Sequence, residues 1–188
     1  KARIYLEDGG TYISNYVLWD KVKSIVSNPK IVLKENAKAV SHALAYVHPD
    51  SQIDLGGEIL LEGKNSSGEI ISSVVSNGGE FISKTNINGK GDDSKGHVEC
   101  NALLINPLGK VIAIPQLQSE NDKTQLTHEA SLGRISNEEI EYLQTKGLSE
   151  EKAKELITRG FVNKSVENMP DIVKQRITSI SSISEQGF

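Results

Sequence analysis

Apolar positions in the first two-thirds of the chain come in short runs rich in β-branched residues, cut by Gly, Asn, Asp and Pro. The runs are "RIYL", "TYISNYVLW", "KIVLK", "AVSHALAYV", "GEILLEG", "GEIISSVV" and "GEFISKT". Period-two alternation within them is patchy, but turn signals recur at the short spacing of an all-β chain. Residues 62–69 and 88–96 read as loops from their Gly, Asn, Asp and Ser content. Gly-Glu opens an apolar run at 57–58, 68–69 and 79–80, an 11-residue spacing that suggests a rung-like repeat. Periodicity alone leaves sandwich, barrel and β-solenoid open.

Near residue 135 the period changes. Ser136 and Glu139 form a capping box, Ile135 and Ile140 suit a hydrophobic staple, and Gly147 suits a helix stop. Ser149 opens a second helix, with Glu150 and Glu151 in the first turn, where they oppose the helix dipole. Its apolar stripe is Ala153, Leu156, Ile157, Gly160 and Phe161. Pro170 opens a third helix with Met169, Val173, Ile177 and Ile180 on one face. The division expected is a β core over residues 1–135 and a helical subdomain over 136–188. Three amphipathic helices cannot build a large core alone, so their apolar faces must pack on each other, on the β body or on a partner.

Composition narrows the function classes. A chain of 188 residues with 37% hydrophobic content can bury a real core. The net charge of −4 and the lack of a Lys/Arg cluster argue against nucleic acid. No apolar run approaches the roughly 20 residues that cross a bilayer. With no membrane span and no secretory h-region, the expectation is a cytoplasmic protein, and the sequons at Asn65 and Asn163 read as coincidence. The chain opens without Met inside a strand-like run, which we read as a fragment or a processed product.

The single cysteine, Cys100, excludes an internal disulfide and any multi-cysteine zinc site within one chain. On its own it reads as a small buried hydrophobe. His42 alternates with apolar neighbours and reads as a strand histidine, and His48-Pro49-Asp50 as a turn. His97 lies three residues before Cys100, which on a strand puts the two on opposite faces. His128-Glu129, just before the helices, is weak evidence alone.

Three stretches in combination carry more. They are "ECNALLI" at 99–105, "VIAIPQLQSEND" at 111–122 and "THEASLGRISNEEIEYLQTKGLSEEKAKELITRGF" at 127–161. Together they resemble the C-terminal core and tail of the SufB/SufD family of iron–sulfur cluster assembly scaffolds, most clearly over residues 79–170. The resemblance implies a right-handed parallel β-helix with a C-terminal helical subdomain, its rung turns including residues 7–10 and 34–37. It also implies a cysteine and a His-Glu pair that assemble a nascent cluster. Cys100, His128 and Glu129 occupy those places, and the presence of both Cys100 and Glu129 makes the site SufB-like. The segment from Ser83 to Cys100 is shorter than in the family's bacterial proteins, and the family's longer N-terminal region is not represented.

The chemistry implied is a transient iron–sulfur cluster. One thiolate is too few for a cluster that normally takes four, so other ligands must come from elsewhere: a second SufB- or SufD-like chain, inorganic sulfur or a small thiol. Cys100 is the soft donor, Glu129 a hard oxygen donor and His128 a neutral imidazole. The helical tail implies docking of a SufC-like ABC ATPase through Leu156, Ile157 and Phe161. This chain has no phosphate loop of its own and so is not that ATPase, and the resemblance implies a scaffold rather than an enzyme. The alternatives are a SufD-like partner that binds no cluster, or a β-solenoid acting on or binding carbohydrate. The latter would need paired carboxylates, for which Asp92-Asp93 is the one adjacent aspartate pair.

Overall fold

A computed structural model describes residues 2–183, with side chains through Ser179 apart from Thr178. Residues 184–188 of the expected helical subdomain, and the Ile180 side chain, lie outside the described set. Twelve strands are followed by three helices. The strands are β1 (Arg3–Leu6), β2 (Thr11–Leu18), β3 (Ser24–Ser27), β4 (Lys30–Leu33), β5 (Lys38–Val47), β6 (Gln52–Leu55), β7 (Gly57–Leu61), β8 (Ser67–Ser76), β9 (Glu80–Gly89), β10 (Lys95–Leu104), β11 (Lys110–Ser119) and β12 (Gln125–Arg134). The helices are α1 (Asn137–Thr145), α2 (Glu150–Ser165) and α3 (Asp171–Ile183).

The chain winds as a parallel β-solenoid of about five coils. One wall is the five-stranded sheet β2-β5-β8-β10-β12, and the other holds β1, β4, β7, β9, β6 and β3, with β11 on β9. Every pairing is parallel, so each coil bonds only to the coil before and after it. The register sets the repeat at 27 residues for Arg3 with Lys30 and 30 for Glu80 with Lys110. The 11-residue Gly-Glu spacing is therefore not the rung. Gly57 and Glu80 open strands of one wall, while Gly68 lies in the other.

The corner leading into the five-stranded sheet explains the loop-like composition. Gly9, Asn36, Asn65 and Asp93 stack there in the left-handed region, with φ of 71°, 55°, 55° and 57°. That is a conformation Gly, Asn and Asp enter most readily. Asn65 donates to the Asn36 side chain at 3.3 Å. Asp92 meets Lys123 at 2.9 Å, so the aspartate pair serves the corner. Gly91 is required by close approach, since a Cβ there would lie 2.0 Å from the Gly63 carbonyl oxygen of the neighbouring coil. The true turns are shorter than the loops expected, because β8 starts at Ser67 and β9 runs to Gly89.

Two apolar clusters fill the lumen. One gathers Leu33, Ile59, Leu61, Ile87 and Val98 near this corner, and the other Val47, Leu55, Val74, Phe81 and Ala102 near the opposite one. Ser72, Ser83, Thr85 and Cys100 are buried but belong to neither. Ser72 and Ser83 hydroxyls meet across the lumen at 3.4 Å.

The helices pack on the outer side of the five-stranded sheet. Val162, Val166, Met169 and Ile177 close over Leu44 and Val75, with Phe161, Val173, Tyr46 and Trp19 around them. The capping box at Ser136 and Glu139 forms as expected, and Ser149 caps α2. Of the expected stripe of α2, Ala153 is buried and Phe161 packs on the sheet cluster, Val162 joins them, and Leu156 is exposed. Among the described residues no helix is long and apolar enough to cross a membrane.

Gly91→Ala forces a side chain into a backbone carbonyl. Overpacking of this kind costs about 1–3 kcal/mol. The urea midpoint of the variant should fall accordingly, while Val26→Ala, at a site 70% exposed, should leave it unchanged. Equal midpoints for Gly91→Ala and the wild type would contradict the corner packing.

Candidate functional site

Strand β10 turns alternate residues to opposite sides of its sheet. Gly96, Val98, Cys100 and Ala102 are buried in the lumen, while His97, Glu99 and Asn101 face outward and are partly exposed. The pairing runs without interruption from Lys95 to Leu104, so no bulge brings His97 round to the thiol.

Cys100 is 2% exposed and lies in register with Ser72 of β8 on one side and Ala130 of β12 on the other. Ser72 beside it meets Ser83 across the lumen, and the thiol belongs to neither of the two apolar clusters. Burial pushes the thiol's pKa above its ordinary value, and the Glu99 carboxylate adds to that. The resting group is the neutral thiol.

His128 pairs with Val98 in the next coil, which gives it the lumenal parity of Cys100 two positions along. It is exposed because β12 is the last strand of the sheet and nothing among the described residues covers that end. Leu132, with the same parity, is 56% exposed, and Leu117 of β11 is 37% exposed. Glu129 has the opposite parity. It pairs with Glu99 and faces outward. The structure thus brings Cys100 and His128 to one side of the sheet and sets Glu129 on the other.

The outer side groups residues that the sequence left scattered. His97 pairs with Glu69 of β8 and Thr127 of β12, and Glu99 with Ile71 and Glu129. One step further along the Glu99 column stands His42 of β5, in register with Ile71. Burial lowers the His42 pKa, against the opposing charges of Glu69 and Glu99, so its ring is held neutral. These residues are separated by 28 to 30 positions in the chain, and only the coil period relates them. Among the described residues no three His, Cys, Asp or Glu side chains close around a common point.

In the tail, Leu156 is 41% exposed and Ile157 half-buried, whereas Phe161 packs against the helix–sheet cluster. Tyr142 of α1, 62% exposed, is the other large apolar side chain displayed by the first helix pair.

The fold and this site define a parallel β-solenoid whose last coil is open, with a buried thiol on the strand beneath it. The family profile described as "SUF system FeS cluster assembly, SufBD core domain" matches residues 1–161. An "Iron-sulfur cluster assembly SufBD family protein" of Archaeoglobus fulgidus is 34% identical over 99% of this chain and 50% of its own length. One from Methanothermobacter thermautotrophicus is 36% identical over the whole chain and 46% of its own length. A third, from Pyrococcus horikoshii, is 34% identical over 94% of the chain and 40% of its own. The chain belongs to the SufBD family of iron–sulfur cluster assembly proteins. It spans about half the length of the curated relatives it matches.

A raised thiol pKa in the fold contributes stability below the unfolded pKa, and that stability is lost as pH rises through the folded one. At pH 7 the folded protein should react with a thiol-specific reagent at least about tenfold more slowly than the urea-unfolded chain, as expected of a buried neutral thiol. The folded rate should climb more steeply than the unfolded rate at alkaline pH. Equal rates at pH 7 would show that the thiol is free.

Proposed function

We propose that this chain is a SufB-like scaffold subunit, assembling a nascent iron–sulfur cluster at the open end of its solenoid against a second SufB- or SufD-like chain. The observation that carries the reading is the placement of Cys100 and His128 on one side of the sheet. They have the same lumenal parity on adjacent strands, and the outer of those strands is a free edge. A thiol and an imidazole are donors that iron accepts in clusters. Glu129, on the outer side of the same edge strand, is the oxygen donor for incoming ferrous iron. One thiolate cannot hold a cluster alone, so the second chain supplies the remaining ligands. Incomplete ligation by any one chain suits a cluster that has to leave.

The free edges of β11 and β12 and the exposed Leu117 and Leu132 support pairing at that end. In this reading the helical tail docks a SufC-like ABC ATPase. Leu156 is the contact, Ile157 flanks it, and Phe161 anchors the helix from beneath. A second reading, a SufD-like subunit that supports the complex without binding a cluster, draws on the burial of the thiol.

Anaerobic reconstitution with iron and sulfide separates the two. The scaffold reading expects a brown, oxygen-sensitive chromophore that Cys100→Ser abolishes and His128→Ala weakens. A chromophore unchanged in Cys100→Ser would remove the thiol from the ligand set. Absence of any chromophore, with a SufC-like subunit still captured, would establish the supporting role.

A further inference from the structure

We infer that the helical tail is a strap. It leaves the solenoid at the last coil, returns across the outer face of the five-stranded sheet and fastens the coil of β2, so that release of α3 loosens β2 before the strand that carries Cys100. The tail starts as a continuation of β12. The Ile135 N–H donates to the Leu104 carbonyl at 3.3 Å, and the Ser136–Glu139 capping box opens α1 directly after it. From there the chain turns back. One apolar cluster gathers Val162, Val166, Met169, Val173 and Ile177 on the helical side. On the sheet side it takes Val17 of β2 and Trp19 just after it, Leu44 and Tyr46 of β5, Val75 of β8, and Ile105 just after β10.

That reach matters because of how the solenoid is built. Each strand of this wall pairs only with the strand before it and the strand after it, so β2 and β10 share no hydrogen bond. In a stacked array, stability is close to a sum of nearest-neighbour terms, and a coil bonded on one side opens most readily. Among the described residues, β2 is such a strand. A cluster that runs from β2 to β10 adds a link that nearest-neighbour pairing lacks.

The strap is tight in the middle. Val162, Val166, Met169 and Ile177 are buried over Leu44 and Val75, which have no exposed surface. At β2 it is looser. There α3 and the strand face each other across a groove of about 710 Å³, with Val17 and Trp19 on one side and Ile172, Val173 and Ile177 on the other. Asn15 Oδ1, of the same strand, is buried without a hydrogen-bond partner. Ile172 is 74% exposed. This end is less closely packed than the middle, which makes α3 the part that lets go and β2 the strand that answers. A partner that lifts α3 is then felt at the opposite edge of the sheet from β12, away from the open end where Cys100 and His128 lie.

The test is hydrogen exchange of the full chain, read strand by strand by mass spectrometry. Trp19, the one tryptophan of the sequence, reports the same seam by fluorescence. Ile177→Ala removes a buried α3 side chain from the cluster, and Ile172→Ala, on the exposed side of the helix, is the control. In Ile177→Ala the β2 amides bonded to β5 should exchange about tenfold faster or more. Trp19 emission should move to longer wavelength, and β10 should keep the wild-type rate. Ile172→Ala should match the wild type throughout. Val173→Ala, a smaller loss at the same seam, should give the same order of strands if Ile177→Ala does not fold. Unchanged exchange in β2, or a rise in β10 as large as that in β2, would overturn the strap.

Discussion

The stacking of parallel coils in register is the constraint on which everything else depends. A parallel strand cannot satisfy its hydrogen bonds by folding back on its neighbour in sequence. Each must wait a full turn of 27 to 30 residues for its partner. The corners must therefore repeat their geometry, which is why Asn36, Asn65 and Asp93 share one backbone conformation. Columns of residues one coil apart become neighbours, and the chemistry of each column is set by the sequence at that spacing. The last coil has partners on one side only, and its strands β11 and β12 are left with unpaired edges.

Column chemistry differs between the walls. On one, acids and lysines alternate between coils, as in Lys30 with Glu58 and Lys110 with Glu80. Such exposed pairs are worth about 0–1 kcal/mol each, so their value lies in fixing register and avoiding like charges in contact. On the outer face of the other wall, half the surface is apolar and covered by α2 and α3. The rest carries Glu69, His97, Glu99 and Glu129, with Lys38 and Lys95 on the same face.

Much of this was legible in the sequence. The capping box, the stop at Gly147 and the apolar face of α3 follow from local rules, and the structure has them. The opposition of His97 and Cys100 followed from strand alternation, since nothing interrupts the pairing. The family and the solenoid were legible from motifs in the last half of the chain. What was hidden was the period. Three Gly-Glu pairs suggested 11 residues because they mark strand starts in both walls as well as one wall's turns. With the wrong period, His42, Glu69 and Glu99 had no visible relation to one another. The stripe of α2 was legible in part: Ala153 and Phe161 pack as expected, whereas Val162, turned to the sheet, was missed and Leu156 is left exposed.

Strand alternation also divides the chemistry of the open end. On β10 it sends the soft donor, Cys100, into a waist lined by serine hydroxyls, and the harder donors, His97 and Glu99, to the outer surface. The two sides meet at one place. His128 and Glu129 are consecutive residues on the edge strand, one with the parity of Cys100 and one in register with Glu99. A chain docking on that edge would touch both sides at once. In the scaffold reading, that edge is where the lumenal and outer sides of the sheet come within reach of the same pair of residues.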